Sequence, residues 1–275
     1  MSRLHSLRWF VVVLGIGLVA AGAFAQEQQA EQYEPQVGQQ GKDVVWVPTQ
    51  QDLVELMLDL AKVTPEDYVV DLGSGDGRTV ITAAKRGVKA LGIEYNPDLV
   101  ELSIRNAAKA GVSDKASFIT ADIFESDFSK ATVVTLFLLP NLNLKLRPKL
   151  LDMKPGTRVV SNTFTMEDWE PDDTARVEGE CCTWCIAHLW IIPAKVEGNW
   201  RLPEGELSIS QQFQMISGTL KSGGNDIPIS GRLTGDKISF TAGATEYSGK
   251  VIGDAISGIA KSGSDNIEWN ATREK

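Results

Sequence analysis

Residues 68–78 read YVVDLGSGDGR. Tyr68 to Leu72 is a short apolar run interrupted by one acid, Asp71, and Gly73, Gly75 and Gly77 alternate along the turn that follows. Runs of this composition and length form buried strands, and glycines give a tight turn the backbone freedom it needs. Arg78 to Arg86 then reads as a helix, ended by Gly87, the residue that most readily adopts a left-handed cap. Strand, glycine turn and helix in succession predict the first unit of a doubly wound parallel sheet.

The unit recurs. Ala90 to Glu94 is a second strand, Asn96 and Pro97 open a helix as N-cap and first-turn proline, and Gly111 closes it. Ala116 to Thr120, Thr132 to Leu139 and Arg158 to Thr163 supply further strands, with a helix over Leu142 to Met153. Upstream, Leu53, Leu56, Met57 and Leu60 recur at helical spacing behind Thr49, which reads as the N-cap. After Trp169 the alternation stops; Ala175 to Glu180 and Ile186 to Ile192 predict an antiparallel hairpin closing the sheet.

From Glu197 the composition changes to short alternating strands broken by Gly223-Gly224-Asn225-Asp226, Gly235-Asp236 and Gly253-Asp254. The stretches GRLTGDKI (231–238) and GKVIGDAI (249–256) share one pattern, which predicts repeated hairpins in a meander or small barrel. The expected fold class is therefore α/β. It is a Rossmann-like, doubly wound, mostly parallel sheet with an antiparallel closing hairpin over residues 44–195, followed by a small all-β module over 196–275.

The N-terminus carries a different message. Arg3 and Arg8 precede an apolar run from Trp9 to Ala21, and Ala23-Phe24-Ala25 gives a small-x-small cleavage pattern. Residues 1–25 thus read as an export signal, too short for the roughly 20 apolar residues of a spanning helix. A retained membrane anchor is the second reading. Residues 26–43 are rich in Gln, Glu and Gly, which predicts a flexible leader. The chain has 275 residues and a formal net charge of −9, and loss of Arg3 and Arg8 makes it more negative still. That balance excludes a nucleic-acid partner on electrostatic grounds. The expected location is the periplasm or envelope, with membrane contact only through the N-terminal segment if it is uncleaved.

Three acids fall where strands end. Asp71 precedes the glycine turn, Glu94 ends the second strand and Asp122 lies just past the third. A carboxylate at the second position can accept both hydroxyls of a ribose, and one at the third can accept from an adenine amine. The rival is a dinucleotide fold, whose fingerprint is G-x-G-x-x-G. Gly73, Gly75 and Gly77 give G-x-G-x-G instead, and Asp71 would repel a pyrophosphate while welcoming an ammonium. The ligand expected is a nucleoside with a zwitterionic tail.

The runs VPTQQDLVELMLDLAKVTPEDYVVDLGSGDGRTVITAAKRG, GIEYNPDLV, ADIFESDFSKATVVTLFLLPNLNLKLRP and KPGTRVVSNTF resemble class I (seven-strand) S-adenosylmethionine-dependent methyltransferases. In particular they resemble the mitochondrial protein-lysine methyltransferases of the ATP synthase c subunit and the adenine nucleotide translocase. A more distant similarity is to the histone-lysine methyltransferases that lack a SET domain. The resemblance spans about residues 44–193. It implies S-adenosylmethionine as cofactor, held at Asp71, Gly73, Ser74, Gly75, Gly77, Glu94 and Asp122, with Pro48 and Thr49 at its methionine end. The family's VPTP is VPTQ here, with Gln50 in place of proline. The resemblance also places acceptor recognition after the fourth strand, at Phe137, Pro140, Asn141 and Asn143, with Asn141, Pro140 and Phe137 as the catalytic candidates.

A lysine acceptor would have to enter the reaction neutral, through desolvation or hydrogen bonding near its lone pair. All three cysteines lie in Cys181-Cys182-Thr-Trp-Cys185, with His188 close behind. In an exported chain one disulfide and a spare thiol is the natural reading; a zinc site is the rival, disfavoured by the compressed spacing. The expected function is methyl transfer to lysine of an envelope or membrane-associated protein. The alternatives are a small-molecule methyltransferase and a catalytically silent exported binding module.

Overall fold

The computed structural model describes residues 1, 33–179, 183–203 and 205–274. The expected signal and the first part of the leader lie outside the described residues.

Tyr68–Leu72 (β1), Lys89–Glu94 (β2), Ala116–Thr120 (β3), Val133–Leu136 (β4) and Arg158–Asn162 (β5) pair in parallel in the order β3-β2-β1-β4-β5. β1, β4 and β5 are almost wholly buried, as strands covered on both faces must be. One face packs against Gln51–Leu60 (α1), Arg78–Lys85 (α2) and Pro97–Lys109 (α3), with Val69, Val133 and Val160 meeting Leu53, Met57 and Val80. The other packs against Pro140–Leu151 (α4), where Val70, Val134 and Val159 meet Leu142, Leu146 and Leu150. Asp173–Arg176 (β6) and Ile186–Ile191 (β7) close the sheet antiparallel, β7 lying between β5 and β6.

Local signals set most boundaries. Asn96 caps α3 by accepting from the Asp98 N–H at 2.9 Å, and Gly87 and Gly111 follow their helices at φ 87° and 71°. Several boundaries differ from expectation; β6 spans Asp173–Arg176 and not Ala175 to Glu180, and α4 ends at Leu151 and not Met153. The N-cap of α1 is Gln50 and not Thr49, which is buried. α4 starts at Pro140, two residues early, because a proline at the first position gives up only an N–H that would have no helical partner. β4 stops at Leu136, so Phe137 and Leu138 leave the ladder and line the end of the sheet.

Gly198–Leu202 (β8), Gly205–Gln212 (β9), Met215–Ser222 (β10), Asn225–Thr234 (β11), Lys237–Ala242 (β12), Thr245–Ile252 (β13), Ala255–Ser262 (β14) and Asp265–Arg273 (β15) form a closed antiparallel barrel. From β9 to β15 each strand turns into the next through two residues, among them Gly235-Asp236 and Gly253-Asp254. Positive φ at the first residue of such turns matches the twist of a tight hairpin. Gly231 and Gly258 sit inside strands where a Cβ would lie 2.1 and 1.8 Å from a neighbouring carbonyl oxygen, so the barrel coils more tightly than side chains there would permit.

The barrel caps the α4 face of the sheet. The loop after β5 brings Trp169 under it, fully buried and stacked on Phe213 at 5.6 Å between ring centroids. Trp169 Nε1 donates to Gln214 Oε1 at 2.9 Å, and Gln214 Nε2 donates to the Glu170 carbonyl at 2.8 Å. Arg232 pairs with Asp172 at 2.6 Å. Because this indole is fully buried in the α4-face core and joins it to the barrel's Phe213-Gln214 turn, Trp169→Ala is expected to cost about 3–5 kcal/mol. Urea denaturation is the check: the wild type should unfold in one transition, and the variant at a much lower midpoint.

Candidate functional site

The strand ends and the glycine turn build one cavity. Gly73, Gly75 and Gly77 have φ of 80°, 55° and 81°, which bends the chain sharply between β1 and α2. Gly73 and Ser74 donate to the Ile93 carbonyl at 2.8 and 3.1 Å, tying the turn to β2. Glu94 Oε2 accepts from the Gly75 N–H and Oε1 from the Asn96 N–H, both at 3.0 Å, so the carboxylate is held at the strand end with lone pairs to spare. Asp122 Oδ1 accepts from the Phe124 N–H at 2.9 Å.

Asp71 is the most unusual of the three acids. It is buried, and its carboxylate accepts from Thr135 Oγ1 at 2.6 Å on the neighbouring strand. Loss of solvation, reinforced by Glu94 and Asp76, outweighs the hydrogen bonds from Thr135 and Thr79 and pushes the carboxyl up to about 7. A cation arriving beside it would recover the lost solvation.

The structure brings together most of the residues singled out from sequence. Pro48, Thr49, Asp71 and Ser74 line the cavity with Gly73 and Gly75, and Glu94, Asp122 and Phe137 complete its wall. Gly77 does not reach it. Gly77 is the N-cap of α2, and a Cβ there would meet Phe118 and Ser103 under 3.0 Å, so its smallness serves helix packing. Pro140 and Asn141 are exposed at the start of α4 and are not brought to the cavity wall. Asn143 is fully buried, but as a tie: its Nδ2 donates to the carbonyls of Phe164 and Thr165, each at 3.2 Å.

Sequence reasoning missed several participants. Arg78, the residue after the glycine turn, pairs with Asp76 at 2.6 Å and donates to the Thr49 carbonyl at 2.7 Å, fastening the Pro48-Thr49 segment to the turn. The stretch 33–43, which composition assigns to a flexible leader, folds back over the cavity in its described part. The Trp46 N–H donates to the Gln39 carbonyl at 2.9 Å, and Gln40 bridges Val45. Lys42 pairs with Asp122 at 2.5 Å and lies 4.7 Å from the Tyr95 ring centroid. That hydrogen bond from Lys42, with the Phe124 N–H, holds the Asp122 carboxyl below the usual range.

A second hollow adjoins the first. Val47, Pro48, Thr49 and Phe137 belong to both walls, and Asn162 and Trp184 line the second alone. Phe137 stacks on Phe164 at 6.0 Å and meets the edge of Trp184 at 5.7 Å. Cys185, next to Trp184, is disulfide-bonded and so offers no thiolate to a metal; Cys181 and Cys182 lie outside the described residues. His188 Nδ1 lies 3.0 Å from Thr174 Oγ1.

The donor set fits S-adenosylmethionine on three counts. The cofactor's ammonium, ribose diol and adenine amine each call for an acceptor, and the cavity offers a buried acid, a fixed carboxylate and a third acid. Known proteins agree. The ANTKMT methyltransferase domain matches residues 71–173. A protein-lysine N-methyltransferase of Saccharolobus islandicus (strain REY15A) is 48% identical over 138 residues, which cover 49% of this chain and 86% of that protein. The Mus musculus lysine N-methyltransferase of the ATP synthase c subunit is 42% identical over 107 residues, 38% of this chain and 43% of its own length. Among solved structures, an RNA methyltransferase from Salinibacter ruber in complex with S-adenosyl-L-homocysteine shares 48% identity at a TM-score of 0.51, covering 55% of this chain and 96% of that one. Because the archaeal relative is matched over most of its length, the likeness is one of family and not of fold alone: this chain belongs to the seven-strand S-adenosylmethionine-dependent methyltransferases, within the protein-lysine N-methyltransferase family.

Proposed function

We propose that this chain is an exported enzyme that methylates lysine amines of envelope or membrane-associated proteins. The observation that carries the methyltransferase reading is the convergence of Asp71, Glu94 and Asp122 on one cavity beside the glycine turn. Bound there, S-adenosylmethionine supplies a methyl group on a sulfonium, open to in-line displacement by a neutral amine. Asp71 meets the ammonium of its tail, Glu94 its ribose hydroxyls and Asp122 its adenine amine. Pro48, Thr49 and Phe137 border the methyl end and exclude water, so the chain's part is positioning and desolvation.

Lysine as acceptor is supported by what the archaeal and mouse relatives are named for. The Salinibacter ruber relative is named an RNA methyltransferase. Against RNA stands the formal charge of −9, which repels phosphates and attracts basic proteins. Export is supported by the pattern of residues 1–25 and by the disulfide at Cys185, since disulfides persist in oxidising compartments. N-terminal sequencing of the protein recovered from the periplasmic fraction should begin at Gln26; recovery of intact Met1 in the cytosol would sink the export reading.

Calorimetric titration with S-adenosylmethionine, followed by labelled-methyl transfer into envelope extract and mass spectrometry of the labelled residues, tests the rest. Binding with label on lysine is the expected result. Binding without transfer would mark a silent module, and label in small molecules or RNA would replace the acceptor. Glu94→Ala should weaken cofactor binding by about tenfold to a hundredfold, the scale of lost charge-assisted hydrogen bonds.

Asp71 makes binding depend on pH. Its carboxyl titrates near 7 when buried without a cation, and only the ionised form meets the ammonium. Affinity should therefore rise with pH and level off above about 7, falling about tenfold for each unit below. Titrations across this range should show it, and Asp71→Asn should bind weakly with no such slope.

A further inference from the structure

The second hollow adjoins the cofactor cavity, and four residues, Val47, Pro48, Thr49 and Phe137, stand between them and wall both. A slender group entering it would come up against Pro48, Thr49 and Phe137, the residues that also border the cofactor cavity. Two aromatic side chains line it, Phe137 and Trp184, the latter 39% exposed, and Phe164 stacks on Phe137 outside the lining. Its one fully buried polar side chain is Asn162, at the last position of β5. Asn162 Nδ2 donates to Thr49 Oγ1 at 3.3 Å, while Oδ1 is buried with no hydrogen-bond partner among the described residues. An orphaned buried carbonyl costs about 1–3 kcal/mol, and such groups call for an explanation in terms of ligand or chemistry.

We propose that this hollow is the channel for the acceptor lysine and that Asn162 Oδ1 accepts an N–H of its amine. The proposal rests on the methyltransferase reading and goes beyond it by assigning the acceptor side. The four methylenes of a lysine suit an aromatic passage, and the rings attract the ammonium on entry. Inside, loss of water favours the neutral amine. With one N–H held by Asn162, the nitrogen lone pair is left to face the methyl carbon. The N–C bond forms as the C–S bond breaks, both electrons of that bond stay on sulfur, and the methylated nitrogen, now positive, releases a proton to water. An amide oxygen cannot take that proton, so Asn162 orients the amine and does not act as a base.

Three variants test the assignment, with poly-L-lysine as acceptor and calorimetry for the cofactor. Trp184→Ala, at an exposed position, should raise KM for poly-L-lysine about tenfold with kcat little changed. Asn162→Ala should lower kcat about thirtyfold or more with cofactor affinity held within about twofold. Asn162→Asp puts a carboxylate against the amine, which favours the ammonium, so the rising limb of the kcat profile should move about one unit to higher pH. Unchanged turnover in Asn162→Ala, cofactor affinity falling in step with turnover, or an unshifted Asn162→Asp profile would overturn the assignment. A wild type that neither binds cofactor nor transfers methyl would instead fail the methyltransferase reading itself.

Discussion

The carboxyl group of Asp71 sits at the end of the central strand, away from water, with the hydroxyls of Thr135 and Thr79 for partners. β1 and β4 place Asp71 opposite Thr135 in the ladder, so the hydrogen bond that steadies the acid is set by strand register. The arrangement works against the fold. The carboxyl is raised in the folded state, so the folded chain holds a proton that the unfolded chain has already lost between about pH 4 and 7. Stability from this group is present at low pH and is lost as pH rises to 7, the reverse of a salt-bridged acid. Both sheet faces must be well packed to carry that cost: the cluster on the α1–α3 face is built of aliphatic side chains with Met57, and the one on the α4 face adds Phe128, Trp169 and Trp190 to its aliphatics. A site kept short of a cation is a site prepared for one.

How much of this was legible in the sequence follows from the range of each signal. Asn96-Pro97, Gly87 and Gly111 act within one helical turn, and they place α2 and α3 to within a residue or two. Asp71, Glu94 and Asp122 were legible because a doubly wound sheet puts strand ends on one edge whatever the loops between them do. The barrel hairpins were legible from glycine turns at regular spacing. Arg78 reaching Thr49, Lys42 reaching Asp122 and Asn162 reaching Thr49 link residues far apart in the chain, and no local pattern announces them. Thr49 shows the limit well: its residue type suits an N-cap, yet tertiary partners on β5 and α2 draw it into the wall, and Gln50 takes the cap. Family position alone favours Asn141 over Asn162, and burial separates them.

The leader illustrates a related point about composition. Polar, aliphatic-poor segments fail to build a core of their own, but they can be ordered by a surface already formed. Residues 38–46 need only pair with themselves and set Lys42 on Asp122 and Trp46 beside Gly75. A glycine in the turn is what admits the indole, since a Cβ there would lie 2.7 Å from Trp46 Nε1. The same absence of a side chain thus serves the turn, the ligand face and the segment lying over both.

Among the described residues the barrel contributes none to either hollow's wall, yet it bears on the acceptor side through the loop after β5. Thr163 and Glu167 hold positive φ of 60° and 56°, a backbone state that costs side-chain-bearing residues about 1–3 kcal/mol each and persists only where surrounding contacts over-determine it. Those contacts run the length of the loop. Asn143 holds the carbonyls of Phe164 and Thr165, and Arg147 holds the Met166 carbonyl and pairs with Asp168. Trp190 holds the Trp169 carbonyl, Gln214 holds Trp169 and Glu170, and Arg232 holds Asp172. The first ties come from α4 and the last from the barrel, so the loop is stretched between two rigid bodies. Phe164, which stacks on Phe137 beside the acceptor channel, stands at its near end. A module docked on the far side of the core thereby fixes the shape of an aromatic wall it never touches.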